Sequence, residues 1–202
     1  MNHKIYKNVR LGKKVKIGDF VIIGIPPNDA AAEKHETIIG DYSIIRSHTV
    51  IYAGNTTGDN FTTGHNVTIR EMNKIGNNVS IGTGTNIEHH IVIENNVRIH
   101  SQAFIPEYTI LKNGCWIGPR VVITNAKYPL SPDTKKHLKG ATIEANAIIG
   151  ANAVLLPGIT IGQKALIGAG TVVTKNVPSH KVVVGNPMVI IKDISELPYP
   201  LT

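Results

Sequence analysis

A polar stretch in the middle of the chain, TNIEHHIVIENN (residues 85–96), carries residue types that acid–base chemistry needs. Two histidines, His89 and His90, follow Glu88 directly and precede an apolar run. Histidine titrates near neutral pH, and a carboxylate on one ring nitrogen leaves the other free to accept a proton. The stretch therefore fits a general base, a pair of metal ligands or a polar corner of a repetitive fold.

The sequence around this stretch repeats every six residues. From Ile39 to Ile123, steps of six meet Ile or Leu at thirteen of fifteen positions, and the next residue is often glycine. The same phase occurs earlier at Ile5 and returns at Ile143. A helix needs an apolar spacing of about 3.6 residues, whereas units of six predict a parallel β-helix with one short strand and one turn per unit.

Two breaks in the phase predict loops that leave the β-helix. Residues 24–37 contain the turn-forming pairs Pro-Pro and Asn-Asp, and residues 125–140 delay the next repeat after Ile123. Loops that leave a regular scaffold commonly carry binding functions. We expect residues 1–178 to form one β-helical domain and residues 179–202 to form a tail with a short helix.

The repeat unit, an aliphatic residue followed by glycine with a further small residue nearby, resembles the hexapeptide-repeat acyltransferase superfamily. The resemblance covers about residues 5–192. It implies an all-β fold, a left-handed parallel β-helix in which each coil takes three units, or about 18 residues. The handedness comes from the resemblance, because the general preference for right-handed crossovers favours the opposite hand.

Coils of this length place residues one coil apart above one another, about 4.8 Å apart. Three neighbouring columns collect the charged and aromatic residues near the polar stretch: Glu71, His89, Glu107 and Asn125; Arg70 and Glu88; Met72, His90 and Tyr108. Two carboxylates, Glu71 and Glu107, thus flank His89 and favour it as the base. Adjacent residues on a strand point to opposite sides, which argues against His89 and His90 as a joint metal site.

The resemblance points to the same histidine. In members that act on nucleotide sugars, the base lies in a segment His-(Asp/Glu/Asn)-x-x-aliphatic-Gly, and His89 stands four residues before Ile93 in that register. This chain departs from the pattern with His90 at the acidic position and Glu94 at the glycine position. We therefore expect Glu71 or Glu107 to orient the base. The residues expected to bind substrate are His65, Arg70, His90, Tyr108 and Asn125.

A second motif resembles the CoA-binding end of the same superfamily. Residues 143–187 contain IGAGTVVTKNVP and VVVGNP. The resemblance implies that acetyl-CoA lies along these coils, where small residues allow its close approach, and that Lys175 meets a phosphate as a point charge. The residues carried over by motif position are Gly150, Ala151, Gly168, Ala169, Lys175 and Pro187.

Asn125 separates this chain from simple-sugar acetyltransferases of the superfamily. Those enzymes typically have a catalytic histidine in the loop after IGPxVxI, where this chain reads WIGPRVVITNAKYP. The segment resembles the nucleotide-linked 3-amino-sugar N-acetyltransferases. We expect transfer of an acetyl or other short acyl group from CoA to the amino group of a nucleotide-linked amino sugar, with His89 as general base. An O-acetyltransferase acting on a sugar hydroxyl is the closest alternative.

Composition and charge indicate where the protein acts and what kind of ligand it binds. The single cysteine, the absence of an apolar run of about 18 residues and the polar N-terminus predict a cytoplasmic protein without a membrane segment. The net charge of +7 comes from scattered lysines and arginines, which favours phosphorylated small molecules over nucleic acid.

Two rival classes share the predicted fold. The γ-class carbonic anhydrases hold zinc with histidines five residues apart, a spacing that no two histidines here have, so we expect no metal in catalysis. A non-catalytic scaffold subunit is the other rival. In the superfamily three chains usually associate, with active sites between them, so the resemblance also implies a homotrimer.

Overall fold

The computed structural model describes residues 2–28 and 35–199, which wind as a left-handed parallel β-helix. Three sheets form the faces of a triangular prism, and each coil adds one short strand to each face. The strands are numbered β1 to β27 in chain order over these described residues. The fold class predicted from the six-residue period is confirmed.

The described strands divide among the three sheets as follows. The first sheet contains β1 (Lys4–Ile5), β4 (Ile22–Ile25), β7 (Val50–Tyr52), β10 (Thr68–Ile69), β13 (Asn86–Ile87), β16 (Phe104–Ile105), β19 (Val122–Ile123), β22 (Val154–Leu155) and β25 (Val172–Val173). The second contains β2 (Val9–Leu11), β5 (Thr37–Ile39), β8 (Thr56–Thr57), β11 (Lys74–Ile75), β14 (Val92–Ile93), β17 (Ile110–Leu111), β20 (Thr142–Ile143) and β23 (Thr160–Ile161). The third contains β3 (Lys16–Ile17), β6 (Ile44–Ile45), β9 (Thr62–Thr63), β12 (Ser80–Ile81), β15 (Arg98–Ile99), β18 (Trp116–Ile117), β21 (Ile148–Ile149), β24 (Leu166–Ile167), β26 (Lys181–Val184) and β27 (Val189–Asp193).

The six-residue series forms the core. All fifteen positions from Ile39 to Ile123 are buried, including the two threonines that interrupt the aliphatic row. Each fully buried aliphatic side chain contributes roughly 1.5–3 kcal/mol relative to exposure. Strand register confirms the predicted stacking, since Thr68 pairs with Asn86 and Asn86 pairs with Phe104.

Both predicted loops differ in detail from their sequence bounds. For residues 24–37, β4 continues to Ile25 and β5 begins at Thr37, while residues 29–34 of that prediction lie outside the described residues. Residues 125–140 leave the stack between β19 and β20, as predicted, but include a 3-10 turn, Thr134–His137, that the sequence did not indicate.

The C-terminal tail is mainly a β-hairpin. β26 pairs in parallel with β24 and so extends the third sheet past residue 178, and β27 returns antiparallel to β26. Runs of Val and Ile favour strands over helices, which explains the difference from the expected helix. The helical part is one 3-10 turn, Ile194–Glu196, and residues 200–202 lie outside the described range. Neither this turn nor any other helix in the described ranges has the length and apolarity of a membrane span.

Candidate active site

His89 and His90 lie at the corner between the first and second sheets, after β13 and before β14. Beneath this corner, the buried side chain of Asn73 accepts a hydrogen bond from the Ile91 N–H at 2.7 Å and donates one to the Arg70 carbonyl at 2.8 Å. Buried amides with satisfied hydrogen bonds rigidify their surroundings. The corner therefore holds its polar side chains in fixed positions.

One column of the corner carries a continuous polar chain. Oε1 of Glu107 lies 3.5 Å from Nε2 of His89, and Nδ2 of Asn125 donates to Oε2 of Glu107 at 2.6 Å. A carboxylate only accepts hydrogen bonds, so it favours the His89 tautomer with hydrogen on Nε2. In that tautomer Nδ1 is the basic nitrogen of His89.

The ring of His90 meets that basic nitrogen. The two Nδ1 atoms are 2.8 Å apart, and the rings are nearly perpendicular at 86°. The expectation that the two histidines point to opposite sides is wrong, because neither lies on a strand and His90 turns the chain with a φ of 57°. His90 also lies beside Tyr108, as the columns predicted, with ring centres 6.0 Å apart.

Glu71 is bonded to Arg70 rather than to His89. Nε and Nη2 of Arg70 donate to the two oxygens of Glu71 at 2.9 and 3.0 Å, and Nη1 lies 3.7 Å from Glu88. Burial alone would raise the pKa of Glu71, but the Arg70 hydrogen bond and the charges of Arg70 and His89 lower it overall. A guanidinium can donate two parallel hydrogen bonds to one carboxylate, so Glu71 pairs with the neighbouring Arg70 and not with His89.

The corner is acidic, and the adjoining loop is basic. Glu71, Glu88 and Glu107 outnumber Arg70 by two charges when the imidazoles are neutral. The loop that begins at Asn125 carries four lysines and one aspartate: Lys127, Lys135, Lys136, Lys139 and Asp133. The corner therefore attracts a cation and the loop an anion. In the described ranges, no group of three or more His, Cys, Asp or Glu side chains is arranged to hold a metal.

The small residues of the second motif border a cleft of about 620 Å³ on the third sheet. Gly150, Gly168 and Ala169 line it, together with the aromatic rings of Trp116 and Tyr199. A Cβ on Gly150 would come within 2.6 Å of the Ala169 nitrogen, so coil stacking itself requires that glycine. Sequence reasoning missed the two aromatic residues; the only available signal was that Trp116 is the single tryptophan.

The other three motif residues lie outside the described lining of this cleft. Ala151 follows Gly150 at the corner between the third and first sheets, and Lys175 follows β25 at the corner between the first and second. Pro187 lies in the turn between β26 and β27. The structure thus groups only half of the expected CoA-binding set around one cavity.

His65 lies at a different corner from His89. It follows β9 and therefore stands between the third and first sheets, where it lines a pocket of about 260 Å³ with Lys16 and Arg46. Within one chain, this residue does not join the other residues expected to bind substrate.

The histidine corner and the cleft face opposite sides of the prism. His89 lies between the first and second sheets, whereas the cleft is on the third sheet, opposite that corner. Reacting atoms must approach to about 3–3.5 Å. A single chain therefore does not bring the two halves of the expected site together.

Family models match two segments of the chain. "Bacterial transferase hexapeptide (six repeats)" matches residues 74–107, and "Hexapeptide repeat of succinyl-transferase" matches residues 140–175. The galactoside O-acetyltransferase of Lactococcus lactis is 36% identical over 88 residues, 42% of this chain and 42% of the relative. The 2,3,4,5-tetrahydropyridine-2,6-dicarboxylate N-acetyltransferase of Enterococcus faecalis is 50% identical over 54 residues, 27% of this chain and 23% of the relative. The chain thus spans less than half the length of these relatives.

Solved structures match over almost the whole chain. The UDP-N-acetylglucosamine acyltransferase of Arabidopsis gives a TM-score of 0.58 at 16% identity, covering 96% of this chain and 74% of that one. The enzyme of the same name from Bacteroides fragilis gives 0.54 at 19% identity, covering 98% and 77%. At these identities the likeness establishes the fold. Taken with the matched repeats, it shows a left-handed β-helix that carries two segments of transferase-type hexapeptide repeats.

Proposed function

We propose that this protein is a CoA-dependent N-acyltransferase that moves an acetyl or other short acyl group from CoA to the amino group of a nucleotide-linked amino sugar. The observation that carries the proposal is the acidic histidine corner beside the basic loop. The carboxylates around His89 favour an ammonium group, and the loop lysines favour the phosphates of a nucleotide. Both substrates place the proposed reaction in the cytoplasm.

The proposed reaction is direct acyl transfer. The bound ammonium first gives one proton to solvent; the neutral amine nitrogen then attacks the thioester carbon while its next proton moves toward His89, whose Nε2 faces Glu107 at 3.5 Å. A carbon–nitrogen bond forms, the carbon–sulfur bond breaks, and the proton ends on the sulfur of CoA. A backbone N–H stabilises the oxyanion that forms between these steps. The arrangement requires no metal ion as a Lewis acid.

We further propose that three chains assemble symmetrically and that each active site lies between two of them. The support is the position of the His89 corner and the Gly168 cleft on opposite sides of one prism. In a closed ring, the corner of one chain can face the cleft of the next. The CoA thioester and the amino sugar would then meet between the chains.

Binding of CoA should change the fluorescence of Trp116. This single tryptophan lines the cleft and lies against His100, with ring centres 4.5 Å apart and planes tilted by 56°, so a ligand beside it alters its surroundings. We expect a saturable change on titration with CoA, and its loss in Ala169→Phe, which adds bulk at an exposed residue that lines the cleft. Gln163→Leu, an exposed position outside the described lining, is the matched control. An unchanged spectrum at saturating CoA would place the thioester elsewhere.

The proposed activity is tested by thiol release from acetyl-CoA with UDP- and dTDP-linked amino sugars. The matched controls are the same sugar nucleotides with a hydroxyl in place of the amine, and the free amino sugars. We expect rapid release only with the nucleotide-linked amines. If none of the acceptors in the panel supported thiol release, the result would contradict the proposal and favour a non-catalytic scaffold.

O-acetylation is the second candidate, because one relative is the galactoside O-acetyltransferase of Lactococcus lactis. A hydroxyl carries no positive charge, so it gains nothing from the excess of carboxylates around His89. Faster thiol release with the hydroxyl controls than with the amines would establish this alternative.

A further inference from the structure

With both rings neutral, one arrangement of hydrogens suits both contacts of the histidine corner. Glu107 can only accept and lies 3.5 Å from Nε2 of His89, which favours hydrogen on Nε2 and a lone pair on Nδ1 of His89. The 2.8 Å contact then requires a hydrogen on Nδ1 of His90. The lone pair of His90 is consequently on Nε2, the remaining ring nitrogen of the pair.

Exposure distinguishes the two rings. The side chain of His89 is 25% exposed, whereas His90 is an exposed residue of the corner. Both nitrogens of His89 face groups of this chain, Glu107 on one side and His90 on the other. An acceptor that arrives from solvent therefore meets His90 before it meets His89.

We propose that His90 is the catalytic residue that takes the proton from the acceptor, and that His89 and Glu107 act behind it as a relay. The inference rests on the proposed acyl transfer and deepens it. His89 is still where the positive charge comes to rest, but Nε2 of His90 is the atom that touches the acceptor.

The relay conserves atoms and charge. The amine lone pair forms the carbon–nitrogen bond, and the electron pair of the broken carbon–sulfur bond leaves on the CoA sulfur. The amine proton moves to Nε2 of His90 while the hydrogen on Nδ1 of His90 passes to Nδ1 of His89. The resulting imidazolium lies 3.5 Å from Glu107, and a proton then returns through the pair to the CoA thiolate.

The charges around the pair favour this transfer. Glu107 faces His89 directly, and Glu71 lies close enough for the charge of His89 to lower its pKa. Arg70 opposes a positive imidazole, but Glu71 and Glu88 offset its charge.

The first test replaces His90 by Asn, which can still donate to His89 but cannot accept a proton. We expect kcat for thiol release to fall about 10²–10⁴-fold, the usual effect of losing a general base, with little change in binding of CoA measured through Trp116. The matched control is His48→Asn, a histidine at another corner with a similar φ of 64°. Activity of His90→Asn within about threefold of the native rate, beside a large loss in His89→Asn, would overturn the relay.

The second test reads the hydrogens directly. Long-range ¹H–¹⁵N spectra of protein labelled with ¹⁵N-histidine distinguish protonated from unprotonated ring nitrogens, and the His89→Asn and His90→Asn variants assign the signals. With both rings neutral, we expect hydrogen on Nε2 of His89 and on Nδ1 of His90. Hydrogen on Nε2 of His90 would overturn the inference whether or not the protein is active. Absence of thiol release by the native protein with every acceptor would instead overturn the proposed function.

Discussion

Replacing His89 by Asn should lower kcat for thiol release about 10²–10⁴-fold, because the relay loses the imidazole that holds the positive charge. Asn cannot accept a proton, and it is too short to reach Glu107 as Nε2 does at 3.5 Å. The rate is measured at a saturating amine concentration, so that a change in the affinity for the acceptor does not affect it. Binding of CoA, followed through Trp116, should be unchanged because the cleft lies on another sheet.

His180→Asn is a suitable control for His89→Asn. His180 is likewise a corner residue, exposed and with a φ of 63°, and lies outside the histidine corner. We expect it to keep the native rate and the native unfolding temperature. If His89→Asn retained a rate within about threefold of the native protein, the base would not be His89.

The fold was predictable because the signal repeats in every coil. One aliphatic residue per unit must face inward, and each of the fifteen positions from Ile39 to Ile123 is buried. The C-terminal hairpin was not predictable from this period. β26 and β27 leave the six-residue pattern, and their Val and Ile residues are held by pairing with each other and with β24.

For the candidate site, the sequence predicted which residues stack in one column, but not which side chains contact each other. The column placed Glu107 beside His89, but stacking does not give the direction of a side chain. Glu71 stands in the same column and turns instead to Arg70, its neighbour in sequence. This competition between adjacent charged groups is decided by side-chain geometry, which a period of six does not contain.

A sequence signal did exist for the contact between His89 and His90. Position 90 belongs to a six-residue series, from 54 to 120, that often holds residues that tolerate positive φ: Gly54, Asn60, Asn66, Asn78, Gly84, Asn96 and Gly114. Met72, Gln102, Tyr108 and Arg120 fill its other positions. The structure gives all of these positions, and His90, a left-handed conformation. This series, in combination with the apolar one, predicts which side chains meet at a corner instead of alternating as on a strand.

Mixing two inactive variants should restore activity if each site lies between chains. His89→Asn has a defective corner and an intact cleft, whereas Ala169→Phe has an intact corner and a blocked cleft. Each variant alone should release thiol at about 1% of the native rate or less, since every site lacks one half. In randomly mixed closed rings, roughly a quarter of the sites combine an intact corner with an intact neighbouring cleft.

The matched control is a second mixture, of the His89→Asn chain with the His90→Asn chain. Both substitutions alter the same corner, so no arrangement of the two chains produces an intact one. Carrying a different affinity tag on each variant allows mixed assemblies to be isolated before thiol release is measured. If thiol release recovers when a corner variant is mixed with the cleft variant, but not when two corner variants are mixed, residues of two chains must act in one site. Isolated mixed assemblies without recovery, or a protein that is monomeric while active, would show instead that one chain carries the whole reaction.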